Sequence, residues 1–206
     1  MKKNIVIAGL AFSNLILMAA LIYVCVKWSA PRPPWVQPGP VSSTPRPDRD
    51  TGPQEFTFNG PDQFAGNDAP LILNRALTIT ATFDTQEKDG VIIAQGGLVH
   101  GYALYVENGE LWFALRRLSV LTAVSGGKVS AGRQSVTATL SKAGELALAR
   151  NGNAPATAQA AGMITVQPME GLDIGADRGA PVGPYKIPNA FGGTIEMVSL
   201  KATPGR

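Results

Sequence analysis

The chain has 206 residues and a single cysteine, Cys25, so it forms no internal disulfide. Its formal net charge of +3 is unevenly placed: residues 1–53 hold six basic against two acidic residues, whereas residues 54–206 hold twelve against thirteen. The larger part therefore lacks the basic excess that phosphate neutralisation requires, which argues against nucleic acid as a partner.

The first predicted element is the uncharged window 4–26, NIVIAGLAFSNLILMAALIYVCV. As a helix it would extend about 35 Å, enough to cross a hydrocarbon layer of about 30 Å. It is longer than the apolar centre of a secretory signal, and KWSAPRP behind it makes a poor cleavage site. Residues 1–28 are therefore expected to be an uncleaved signal anchor, a single transmembrane helix. Lys2 and Lys3 precede it on a short tail that is easily retained inside, while Lys27 and Arg32 follow it. This orients the N-terminus to the cytoplasm and the remainder to the periplasm or the extracellular space. Cys25 reads as a small apolar residue of the span, with acylation or a crosslink between spans as functional alternatives.

Residues 29–53, SAPRPPWVQPGPVSSTPRPDRDTGP, contain 8 of the chain's 16 prolines. Proline fixes φ and removes a donor, so this segment reads as an extended spacer, reaching about 75 Å at about 3.1 Å per residue.

From about Glu55 onward the pattern is β. LTITATF alternates Leu77, Ile79, Ala81 and Phe83 on one face with threonines on the other, the period of a half-buried strand. GVIIAQG is a more fully buried run. SVTATLS and ELALAR form a pair around Lys142-Ala143-Gly144, NGN at 151–153 is a tight turn, and GLDIGAD and GGTIEMVSLKA close the domain. No amphipathic helix of useful length follows the anchor. Short strands between Gly and Asn turns predict a sandwich or barrel over residues 54–206.

One hairpin can be read residue by residue. In GYALYVENGELWFALRR, Asn108-Gly109 suit a two-residue type I′ turn, which sets Val106 against Leu111, Tyr105 against Trp112, Leu104 against Phe113 and Tyr102 against Leu115. Tyr102, Leu104, Val106, Leu111, Phe113 and Leu115 then share the core face, and Ala103, Tyr105, Trp112, Ala114 and Arg116 the other. Glu107 and Glu110 meet beside the turn, a small like-charge cost that a cation would relieve. Two readings of Tyr105 and Trp112 are open. They form a platform on which a sugar stacks, with Arg116 bonding its hydroxyls or anionic groups, or they form a cross-strand aromatic pair covered by a loop.

Chemistry is harder to find. The one histidine, His100, sits in GGLVHGY as a turn residue, with no serine in a nucleophile-elbow context. His/Cys metal ligands are lacking. Asp84, Glu87 and Asp89 are expected in one loop, and Glu170, Asp173 and Asp177 in another, with nothing to set them across a common cleft for glycoside hydrolysis. No cofactor is expected; an oxygen-ligand calcium site using Asp177 or Asp84 is a weak alternative, and the metal is left unknown. In GLDIGADRGAPVGPY, Asp177, Arg178 and Tyr185 are further candidates for a loop-formed binding pocket, against a role in positioning that loop.

FNGPDQFAG, LTITATF, DGVIIAQGG, GYALYVENGELWFALRR, GLDIGADRGAPVGPY and FGGTIEMVSLK together resemble a concanavalin A-like, laminin-G-type jelly roll over about residues 54–202. They look most like the sandwich domain appended to some bacterial arylsulfatases. The resemblance implies an all-β fold of two antiparallel sheets, and carbohydrate or protein binding, sometimes with calcium. It does not imply sulfatase activity, because Cys25 is followed by VKW and the Cys-x-Pro-x-Arg motif of that enzyme is absent. The expectation is a membrane-anchored extracytoplasmic binding module without a reaction of its own, recognising a glycan or an envelope protein. The alternatives are a structural subunit of an envelope complex and a sulfatase-related or glycoside hydrolase.

Overall fold

A computed structural model of the chain describes residues 52–205 apart from Glu87. The expected span and nearly all of the spacer lie outside the described residues, and no described helix is long and apolar enough to cross a membrane.

The described residues form two six-stranded antiparallel sheets. Twelve strands follow one another: β1 (Gln54–Phe58), β2 (Asp62–Phe64), β3 (Arg75–Thr85), β4 (Gly90–Gly96), β5 (Gly101–Glu107), β6 (Glu110–Arg117), β7 (Val120–Lys128), β8 (Gly132–Leu140), β9 (Glu145–Arg150), β10 (Ala156–Gln159), β11 (Leu172–Ile174) and β12 (Thr194–Pro204). The first sheet has the order β1-β12-β3-β8-β9-β10, the second β2-β11-β4-β5-β6-β7.

Alternation drives the layering. Leu77, Ile79, Ala81 and Phe83 of β3 point inward and are buried, and Leu146 and Leu148 of β9 face the same core. Their partners from the second sheet are Tyr102, Leu104, Val106, Leu111, Phe113 and Leu115. The β5–β6 register is the expected one, from Tyr102 opposite Leu115 to Glu107 opposite Glu110. Asn108 (φ 54°) and Gly109 (φ 70°) supply the left-handed pair the turn needs. β4 departs from simple alternation: a bulge between Val91 and Ile93 turns both Ile92 and Ile93 inward, while Val91 and Ala94 face out.

Buried polar groups at the start of β3 and along β4 and β5 are partnered. Arg75, at the start of β3, donates from Nη1 to the carbonyls of Gly52 (2.7 Å) and Ala202 (3.3 Å), tying the first described residue to the β12–β3 pair. The Tyr102 hydroxyl donates to Gln95 Oε1 (3.4 Å), and Gln95 Nε2 to the Pro70 carbonyl (2.7 Å).

The strand course gives the sandwich two distinct ends. The turn 108–109, Lys128 and the close of β3 lie at the hairpin end. The start of β3, the close of β12, the β4–β5 loop and the β6–β7 turn lie at the other.

Two of the carboxylates expected in loops lie in strands. Asp84 lies within β3, opposite Thr194 and Arg133, not in a loop with Asp89. Asp173 lies within β11. Glu87 is outside the described residues.

Candidate functional site

The outer face of the second sheet follows from the same period of two. It carries Val91 and Ala94 from β4, Ala103 and Tyr105 from β5, Trp112 and Ala114 from β6, and Leu121 and Ala123 from β7. In a half-solvated sheet these positions would be polar. Here they are apolar because residues 175–191 fold back across them.

Backbone bonds fasten that segment to the strand beneath. Gly175 N–H donates to the Ile92 carbonyl (2.9 Å) and Val91 N–H to the Asn189 carbonyl (3.2 Å), while Phe191 N–H closes the segment on its own Gly175 carbonyl (3.0 Å). Gly90 makes the close approach feasible: at φ 130°, a Cβ there would lie 2.3 Å from the Ala190 carbonyl oxygen. Val182 and Tyr185 then settle onto Tyr105. The two tyrosine rings meet edge to face with centroids 4.8 Å apart.

Asp177, Arg178 and Tyr185 come together inside this segment. The Tyr185 hydroxyl donates to Asp177 Oδ2 (2.7 Å), and Gly179 N–H to Asp177 Oδ1 (3.3 Å). Burial lifts the Asp177 carboxyl above its ordinary range, offset in part by the Tyr185 bond, while Asp173 nearby pushes the same way as burial. Burial likewise raises the Tyr185 and Tyr105 phenols. Arg178 is on the surface, where its backbone and guanidinium both donate to the Asp173 carboxylate (2.8 Å each). These residues hold the segment in shape, and Asp177 and Tyr185 are buried.

Arg116 is the clamp at the other side. Its Nε donates to the Val182 carbonyl (2.7 Å) and its Nη1 to Ser119 (3.2 Å). Of the three outer-face candidates on the hairpin, Tyr105 is 1% exposed, whereas Trp112 and Arg116 stay half-buried. Tyr105 and Trp112 are cross-strand neighbours, but the ring packed on Tyr105 is that of Tyr185.

What remains partly exposed on this face is a strip made by Trp112 and Arg116 of β6 with Leu121, Ala123 and Ser125 of the edge strand β7, while Ala114 between them is buried. Trp112 faces Ser125 across the pair, Ala114 faces Ala123, and Arg116 faces Leu121. Trp112 packs against the outer-face cluster and keeps part of its surface exposed. At its hairpin side the Ser125 hydroxyl donates to the Glu110 carboxylate. An aromatic face, flanked by a guanidinium and by a hydroxyl–carboxylate pair, can stack on an apolar ring face and exchange hydrogen bonds with hydroxyls. The sequence reading missed β7, although VLTAVSGGK carries the signal: Leu121, Ala123 and Ser125 alternate in step with the hairpin.

Among the described residues no group of three or more His, Cys, Asp or Glu side chains is placed to hold a metal ion. His100 is buried in the β4–β5 turn with its Nδ1 unpartnered, so no carboxylate orients it there as a catalytic base. The Asp89 carboxylate accepts the N–H groups of Asn108 and Gly109 (2.9 Å each), capping the hairpin turn, a role its sequence position did not disclose. Beside it an open cleft is lined by Lys88, Asp89, Asn108, Gly109, Lys128, Val129 and Ser130.

No protein-family model matches the chain, and no curated protein matches it. Solved structures do. The carbohydrate-binding module CBM40 of the Ruminococcus gnavus IT-sialidase superposes with a TM-score of 0.53 at 15% identity, covering 72% of this chain and 90% of the module. The same module bound to α2,6 sialyllactose gives 0.50 at 14% identity, with the same coverage. Domains LG4-5 of the mouse laminin α1 chain give 0.53 at 19% identity, covering 71% of this chain and 40% of theirs. At these identities the likeness is one of fold, and it bears out the laminin-G-type sandwich expected from the motifs.

Proposed function

We propose that the chain is a membrane-anchored, extracytoplasmic binding module that holds a glycan on the outer face of its second sheet, at Trp112, and catalyses no reaction. The observation that carries this reading is the partly exposed Trp112 at the margin of the face that residues 175–191 cover. Arg116 stands at one side of it and the Ser125–Glu110 pair at the other. Aromatic side chains bury much apolar area at low conformational cost, and a ring face suits the C–H surface of a pyranose. Support for the ligand class comes from the fold shared with a carbohydrate-binding module whose complex holds sialyllactose. The anchoring rests on the uncharged window 4–26, and the spacer 29–53 would lift the module off the bilayer. Kinship with the sandwich appended to arylsulfatases is, in this reading, one of architecture and carries no hydrolysis.

A glycan array probed with the wild type, Trp112→Ala and Ala123→Arg tests it. The first variant removes the stacking face and the second fills the strip while leaving the core between the sheets intact. Binding by the wild type that both variants lose is the expected result. Equal binding by all three, or none by a folded wild type, overturns it. A stoichiometric protein that co-purifies and maps to the sandwich would point instead to a subunit of an envelope complex.

A further inference from the structure

Of the eight exposed large apolar side chains among the described residues, Leu98, Val99, Leu118, Val120, Val166 and Met169, 52% to 92% exposed, lie at the end opposite the Asn108-Gly109 turn, and Ile187 (41%) and Met197 (36%) lie in the 175–191 segment and in β12. The loops are tied together: Ser119 N–H donates to the Val99 carbonyl (2.9 Å). In the stretch that carries Val166 and Met169, the Met163 carbonyl accepts from Arg117 Nε (3.0 Å), and Gln167 Oε1 accepts Ile72 N–H (2.8 Å).

The β6–β7 turn shows that this exposure has a conformational cost. Leu118 (φ 51°) and Ser119 (φ 64°) occupy the left-handed pair that Asn108-Gly109 occupy at the other end of the same strand. Asn-Gly suits that geometry; a leucine there is strained and presents an apolar side chain to water. The same sheet thus uses the favourable turn at its polar end and an unfavourable, greasy one here.

This is also the end at which the chain arrives. Gly52 is held by Arg75 at the start of β3, and the spacer with the apolar window behind it lies immediately upstream. We propose that this end of the sandwich docks on the lipid surface, with Leu98, Val99, Leu118 and Val120 reaching into the interface. The proposal rests on the anchoring reading above. Aliphatic tips on separate loops, without the Trp and Tyr anchors of protein hot spots, suit a yielding hydrocarbon boundary better than a shaped protein pocket. Tethering keeps the bilayer at high local concentration, so weak insertion is enough. Docking this end would leave the outer-face strip alongside and turn the hairpin end away from the membrane.

The full chain, with Cys25→Ser and an environment-sensitive fluorophore on Leu118→Cys or on Ser130→Cys at the far end, would be reconstituted into vesicles of phosphatidylcholine and phosphatidylglycerol. The expected result is a blue-shifted label at 118, quenched several-fold more by spin-labelled lipid than the label at 130 and shielded from iodide. A label at Val99→Cys should behave likewise and lose its lipid quenching in a Leu118→Asn, Val120→Ser background. If the chain floats with vesicles but the label at 118 is as open to iodide as that at 130, docking is refuted while anchoring stands. If the chain fails to float, both fall. Shielding from iodide and lipid quencher alike would mean that protein covers this end, and would also refute docking.

Discussion

Removing the Tyr185 hydroxyl should loosen residues 175–191 while the sandwich beneath stays folded. Tyr185→Phe keeps the edge-to-face contact with Tyr105 but leaves Asp177 Oδ2 without its buried donor. Stranding a buried acceptor costs about 1–3 kcal/mol, a roughly 5- to 150-fold rise in the local opening constant. The loss should stay local, because Val182, Tyr185 and Tyr105 form a cluster separate from the main core between the sheets. Amide exchange reads this directly. The Phe191 and Gly192 N–H groups, bonded to the Gly175 and Asp89 carbonyls, should exchange faster by that factor, while amides of β5 and β6 hold their rates. Tyr185→Ala, which also removes the ring, should go further and open Tyr105 to solvent. Unchanged exchange at 191 and 192 in both variants would refute the view that the Tyr185–Asp177 bond holds the segment down.

Other expectations follow from the same geometry. Phe113→Ala, at a fully buried position of the core, should cost about 3–5 kcal/mol in denaturant titration, more than Trp112→Ala on the half-exposed face. Asp89→Ala strips two N–H acceptors from the hairpin turn and should cost about 0.5–2 kcal/mol, on the scale of a lost helix cap, with exchange at Asn108 and Gly109 rising first. Burial raises the Asp177 carboxyl, so between its unfolded and folded values the native state keeps a proton that the unfolded chain has released. The stability from this group is full below the unfolded value and is lost as pH rises through the folded one. The stability of the wild type minus that of Asp177→Asn should therefore fall as pH climbs out of the acid range; a difference that grows with pH contradicts the assignment.

Much of the fold was legible because its signals are local. Asn108-Gly109 fixed a register that the alternation on either side confirmed residue by residue, and Leu77 to Phe83 declared their core face. What stayed hidden depends on contacts distant in the chain. Tyr105 and Trp112 are equivalent by alternation, and only the return of residues 175–191, some 80 positions later, buries the first fully and the second in part. That segment is rich in Gly and Pro, which marks a loop but not where it lies. Asp84 and Asp89 look like neighbours in sequence, yet one sits in a strand and the other caps a turn between β5 and β6. The bulge in β4 was likewise silent, since GVIIAQG reads as a simple buried run.

The glycan-binding account is tested most directly by nuclear magnetic resonance shift mapping on the isotopically labelled chain, titrated with the oligosaccharide that binds most strongly on the array. It predicts shifts concentrated at the Trp112 indole N–H and at the backbone of Ala123, Ser125 and Arg116, with β3 and β8 unmoved. Shifts gathered instead at Lys88, Lys128 and Ser130 in the hairpin-end cleft, or on the first sheet, would contradict it.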